Sequence, residues 1–184
     1  MTRPGSEGTT IPARITVADL AQLLGRSLEE VQDVLHQQGE EDGPDHVLGW
    51  ETAVALGRGF GEKLDVEPRD LALELLYEFE TRGELSDVPE GRAGRLALGV
   101  VRDLDRLDAM IEEVSEHWTV ARMPIVDRNI LRIGLFELES EPEVPTAVIV
   151  SEAVRMAQTY STERSASFVN GVLAALAKSV RSLA

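Results

Sequence analysis

Trp118–Leu138 reads WTVARMPIVDRNILRIGLFEL, and this stretch decides the fold. Pro124 fixes its own φ and has no N–H to leave unpaired, which suits the start of a helix. Beyond it Ile125, Ile130, Leu131, Leu135 and Leu138 give an apolar face at helical spacing. Arg128 and Arg132 lie four apart on one helical face, and Arg122 precedes them as a third cation. Such a group serves either surface ion pairs, each worth little, or an anionic partner.

Working outward, a long helix precedes this segment, with Leu96, Val100, Leu104, Leu107, Ile111 and Val114 on one face and Trp118 just past its end. Arg95, Arg102 and Arg106 share another face, where Asp103, Asp105 and Asp108 interleave as ion-pair partners. Gly83–Gly91 reads as a loop. Before it, Pro68 fits a first helical position, and Leu71, Leu75 and Phe79 repeat every four residues beside Ala72 and Leu76. Downstream, Glu141–Pro145 holds two prolines and reads as a rigid connection. The β-branched run Val144–Val150 suggests a strand, but Ala153, Val154, Ala157 and Tyr160 keep a helical period. Val148–Tyr160 and Ser165–Leu183 are therefore the last two helices. In the second of these Gly171 permits a close helix contact, with Phe168, Val172 and Leu176 buried around it.

The first third of the chain reads differently. Residues 1–12 are rich in Gly, Ser, Thr and Pro and read as a disordered tail. Thr16 caps a helix with Asp19 in its first turn; Leu20, Leu23 and Leu24 follow, and Gly25 stops it. Ser27 and Glu30 form a capping box ahead of Val31, Val34 and Leu35, and Gly39 ends that helix. Trp50–Phe60 is a short third helix, and Lys63–Glu67 a charged connection. The fold class is all-α: a tail (1–12), a small three-helix module (13–62) and a larger helical domain (63–184). Residues 16–38 have a helix-turn-helix look, but Leu28–Gln38 carries Glu29, Glu30 and Asp33 and no Lys or Arg. That is the wrong sign for a helix facing phosphates.

Composition narrows the function. The 184 residues hold 18 Lys plus Arg against 33 Asp plus Glu, a net charge of −15. This disfavours coating nucleic acid or anionic membrane through net charge, and favours a basic protein partner. No cysteine is present, which removes disulfides, thiol catalysis and cysteine zinc sites. No apolar run approaches the roughly 18 residues of a membrane span, and a cytoplasmic location fits. His36, His46 and His117 lie far apart with no second ligand at a metal spacing, and Gly57–Gly61 lacks the strand and the Lys-Ser/Thr end of a phosphate loop. The residues alone describe an acidic, all-helical protein that is not an enzyme and needs no cofactor.

Three segments in this order and spacing carry a family likeness: V-D-R-x-I-L-R within Trp118–Leu138, V-P-x-x-V-x-x-x-E-A-V within Val144–Arg155, and S-x-x-F-V-N-G-V-L from Ser165 to Leu173. RDLALELLYEFE (Arg69–Glu80) and Leu98–Val101 fit the earlier parts. Residues 66–181 thus resemble the NusB transcription antitermination family. The resemblance implies an all-helical domain of packed bundles that pairs with a small ribosomal-subunit protein acting as NusE. It also implies binding of boxA-like single-stranded RNA in ribosomal RNA leaders, within the transcription elongation complex. Tyr77 and Asp127 are the partner contacts the resemblance carries over. Family members begin with an arginine-rich RNA-contacting stretch; here Leu64–Arg69 reads LDVEPR, so Arg69 alone remains, and Arg122, Arg128 and Arg164 are the replacement candidates. The connection Gly83–Gly94 is short, as if a family helix were missing. A protein–protein adaptor that kept the fold and lost RNA affinity is the alternative. Residues 14–61 resemble the small N-terminal module of bacterial translation initiation factor two, which implies an appended interaction module.

Overall fold

The computed structural model of the chain describes residues 8–85, 88–115 and 118–181. It divides into two compact units, the first through Leu71 and the second from Ala72.

In the first unit the helix signals of the sequence act as written. Helix α1 (Val17–Leu24) is capped by Thr16, whose hydroxyl oxygen accepts from the Asp19 N–H, and it ends at Gly25 in the left-handed conformation, φ 63°. Helix α2 (Leu28–Gln38) opens on the full Ser27–Glu30 capping box. Helix α3 is Trp50–Gly59. Four three-residue strands join them: β1 (Thr9–Ile11), β2 (Arg14–Thr16), β3 (Val47–Gly49) and β4 (Leu64–Val66). Strands β1 and β4 pair in parallel, Thr9 opposite Leu64 and Ile11 opposite Val66, while β2 and β3 pair antiparallel. Ile11, Leu20, Val31, Leu35, Leu48, Leu56 and Leu64 share one core.

These strands correct two expectations. Thr9–Ile11 falls within the stretch read as a tail, yet Ile11 is buried and hydrogen-bonded backbone holds the segment. The connection after Gly61, read as a boundary at 62/63, is β4, and the division of the chain falls inside helix α4 (Pro68–Arg82). A three-residue strand is too short to show a period, and its partner lies far along the chain.

The second unit is built around α7 (Ile125–Ser140). It packs against α5 (Arg92–Arg102), α6 (Leu104–Val114), α8 (Thr146–Tyr160) and α9 (Ser165–Arg181). Its buried positions run around the whole helix and include Asp127, Asn129, Arg132 and Glu137 as well as the apolar residues. A helix so enclosed needs paired polar groups: Arg132 donates to Asn129 Oδ1 at 2.9 Å and Asp127 accepts from Ser165, while Asn129 Nδ2 is left without a partner among the described residues. Gly134 lets α9 approach: a Cβ there would stand 2.8 Å from Leu173 Cδ1. Gly171, expected to make that contact, is exposed with open space beside it, and Phe168 is only half-buried.

The long helix expected over Leu96–Val114 breaks at Asp103 into α5 and α6. The buried stripe Leu96, Val100, Leu107, Ile111 runs through the break, which is why periodicity does not reveal it. Asp103 accepts from both Arg102 Nε, at 2.8 Å, and Arg106, at 3.1 Å. The Arg102 hydrogen bond is the main cause that lowers the Asp103 pKa to about 2. Between α4 and α5 the described residues form no helix, and α8 starts two residues before the expected Val148.

Candidate nucleic-acid interface

The arginines of the VDR segment are tied into the protein. Arg128 donates from Nε to Glu80 on α4 at 2.9 Å, makes a second, shorter bond to the same carboxylate, and reaches the Met123 carbonyl at 3.1 Å. Arg132 donates to Glu80 at 2.6 Å and grips Asp108 on α6 through two bonds of 2.7 Å. Burial alone would raise the Glu80 pKa; the hydrogen bonds and charges of Arg128 and Arg132 outweigh it and hold the carboxyl below its usual value. Likewise burial opposes the charge of Arg132, and Asp108 with Glu80 more than offsets it. Three helices are thus joined by one charge network, and what reads in sequence as a basic patch is largely neutralised.

Beside this network lies an open groove of about 310 Å³. It is lined by Trp118, by Met123, Pro124 and Asp127 around the start of α7, and by the α8–α9 turn with Thr162, Arg164, Ser165 and Phe168. Trp118 is 53% exposed. Its backbone N–H donates to the Ser115 carbonyl at 2.8 Å, and the Val120 N–H donates to the Glu112 carboxylate at 2.7 Å, which fixes the short 3-10 turn Val120–Arg122. At the α8–α9 turn Ser165 opens α9. Asp127 accepts from Ser161 Oγ at 2.5 Å and Ser165 Oγ at 2.8 Å, and the Thr162 N–H donates to Ser165 Oγ at 3.3 Å. Since the Ser165 hydrogen goes to Asp127, the 2.8 Å contact between the Thr162 and Ser165 hydroxyls has Thr162 as donor.

The residues expected to contact RNA part company here. Arg164 and Arg122 are exposed, with no ion pair among the described residues, and Arg164 lines the groove. Arg69 is 6% exposed, belongs to the first unit, and stands 3.7 Å from Glu67. Arg128 is half-buried and held by Glu80. Of the two expected partner contacts, Tyr77 is 41% exposed on α4, whereas Asp127 is 3% exposed and its oxygens are occupied by serine hydroxyls. A buried, hydrogen-bonded arginine or aspartate cannot meet a partner without breaking those bonds.

Trp118 and Phe168 are what residue-by-residue reading misses as site groups. Trp118 reads as a helix flank and Phe168 as core; the available signal is a tryptophan just ahead of a proline-opened helix in a chain with only eight aromatics. His46 pairs with Glu41 at 2.9 Å and His36 lies 3.7 Å from Asp42, while His117 lies outside the described residues. Among the described residues no group of three or more histidines and carboxylates is arranged to hold a metal, and no helix is long and apolar enough to cross a membrane.

Comparison with known proteins places this architecture. The chain is 41% identical over 126 residues to the transcription antitermination protein NusB of Sorangium cellulosum, covering 61% of this chain and 90% of that one. The structure of T. maritima NusB superposes with a TM-score of 0.55 at 32% identity, over 60% of this chain and 88% of that chain. The antitermination factors NusB and NusE, solved in complex with double-stranded RNA, give a TM-score of 0.52 at 28% identity, over 61% and 94% of the two chains. The sequence pattern of the NusB family matches residues 66–178, and the chain belongs to that family.

Proposed function

We propose that the chain is a transcription antitermination factor. In this reading it binds, together with a small ribosomal-subunit protein acting as NusE, a boxA-like single-stranded RNA of ribosomal RNA operons. It does so within the elongation complex, in the cytoplasm and without catalysis. The observation that carries the reading is the groove in which Trp118 and Phe168 lie beside Arg164. An aromatic wall offers a face to any base, worth about 1–3 kcal/mol per stacked base, and a neighbouring cation meets the phosphate. Arg164 and Arg122 are the contacts this chain offers; Arg69 and Arg128 are withdrawn from that role by their burial and pairing. Tyr77 serves the protein partner, its phenol giving apolar area with a hydrogen-bonding tip. A chain of charge −15 attracts a basic partner, which adds the cations this one lacks.

Two phosphate contacts, each contributing about 0.7 to the slope on a single strand, give a shallow salt dependence of about −1.4 in log–log terms. The isolated protein is therefore expected to bind RNA at about micromolar affinity or weaker, as non-specific contacts do, and the complex with the basic partner much more tightly. Mobility shifts of protein, partner and complex at two salt concentrations test this; tight binding by the isolated protein with a steep slope refutes it. The adaptor reading is favoured by one feature: the stretch matching the arginine-rich start is LDVEPR, and Leu64–Val66 of it is strand β4. No RNA binding even by the complex would establish that alternative.

A further inference from the structure

We propose that Asp127 is a positioning residue for the groove, acting through the turn between α8 and α9 rather than by touching a partner. The inference rests on the reading of the groove as the RNA site. Residue type and place both point to it. Asp127 sits in the first turn of α7 and is 3% exposed. A carboxylate there gains from the helix N-terminus, but that does not explain why its two oxygens are divided between Ser161 and Ser165. Ser161 is the residue after α8, and Ser165 is the first residue of α9. One side chain thus clamps both ends of a turn whose interior holds Thr162 and Arg164.

The clamp sets where the groove's own groups stand. Ser165, held by Asp127, also accepts from the Thr162 N–H and hydroxyl, so the turn is hydrogen-bonded to itself and to α7. Arg164 is the residue immediately before Ser165, and Phe168 lies one helical turn beyond, its N–H donating to the Arg164 carbonyl at 3.3 Å. Releasing Ser161 and Ser165 frees the turn to move away from Trp118, whose backbone is held on a separate segment by the Ser115 carbonyl. The geometry that brings cation, ring and tryptophan to one groove then loosens without any contact to RNA being removed.

The neutral isostere separates positioning from direct contact. In Asp127→Asn, Oδ1 still accepts from one serine while Nδ2 donates to the hydroxyl oxygen of the other, so the clamp persists without charge. The experiment uses the full chain with Trp50→Phe, leaving Trp118 as the reporter, and compares Asp127→Asn, Asp127→Ala and the double variant Ser161→Ala/Ser165→Ala. Trp118 quenching by acrylamide, affinity for the basic partner, and affinity of the complex for RNA are each measured. Asp127→Ala and the serine double variant are expected to raise Trp118 quenching and weaken RNA binding by the complex about tenfold, with partner affinity unchanged. Asp127→Asn is expected to stay near wild type in all three. Loss of partner affinity in Asp127→Asn as deep as in Asp127→Ala, with the serine double variant normal, overturns the proposal and makes Asp127 a direct charge contact. Trp118 quenching needs no RNA. Were wild-type complex unable to bind RNA, the functional reading would fall while raised quenching in the serine double variant still upheld the clamp; unchanged quenching would overturn it.

Discussion

Arg181 donates from Nε to the carbonyl of Leu138 at 3.0 Å, so the end of α9 closes the end of α7. The same guanidinium reaches the carbonyls of Val144, at 2.6 Å, and Glu141, at 3.0 Å. The last carbonyls of a helix have no partner within it, and a cation there also suits the dipole. Arg181→Ala is expected to destabilise the protein by about 2–3 kcal/mol, the range for hydrogen bonds to a charged group with acceptors left behind. Arg181→Lys should recover only part, because an ammonium lacks the planar fork. Urea denaturation of the full chain measures both.

Glu80 is expected to contribute to the acid sensitivity of the second unit. Its pKa lies below the ordinary 4.5 because the pull of Arg128 and Arg132 exceeds the opposing effect of burial. In the window between the folded and unfolded values the unfolded chain binds more protons, so stability rises with pH there. The contribution is complete above about 4.5 and disappears as pH falls through the lower, folded value. Glu80→Gln should flatten that part of the stability–pH curve. At neutral pH it should cost on the order of 2 kcal/mol, less than the 3–5 of a fully buried pair, because Arg132 keeps Asp108.

Two glycines should respond to alanine with opposite signs. Gly134→Ala drives a Cβ to 2.8 Å from Leu173, a fully buried side chain with little room to yield. Overpacking of this kind costs about 1–3 kcal/mol. Gly171→Ala meets open space in the middle of α9 and should stabilise by roughly 0.5–1 kcal/mol through helix propensity. Thermal melting of the two variants decides it.

Tyr77→Asp is expected to leave stability within about 0.5 kcal/mol, since the ring is exposed. Affinity for the basic partner should nevertheless fall by about tenfold, because a new carboxylate must be desolvated in a partly apolar contact. Titration calorimetry with the partner and a urea melt of the variant separate the two effects. Equal affinity for wild type and variant would remove Tyr77 from the contact surface.

What the sequence made legible was whatever short-range chemistry controls. The Ser27–Glu30 box, the stops at Gly25 and Gly39 and the opening of α7 after Pro124 all depend on residues within one turn of each other. The family motifs added the order of the later helices. The charge network was not legible, because Glu80 and Arg128 are 48 residues apart and nothing local says that one neutralises the other. Asp127 was recognisable as a helix-start acid, but its serine partners lie 34 and 38 residues away. Gly171 and Gly134 look alike on a helical wheel; only the packing partner, Leu173, distinguishes them.

The parallel pairing of Thr9–Ile11 with Leu64–Val66 gives the first unit a contact between segments far apart in sequence. Its opening and closing strands are neighbours, so the sheet cannot zip until Val66 is available to face Ile11. During synthesis, α1 and α2 can form as soon as their caps are made, whereas the β1–β4 ladder waits for the whole unit to leave the ribosome. Loop closure over so many residues is entropically slow, and Ile11 stays unprotected until it happens. The last step in assembling this unit is therefore the ordering of its first strand.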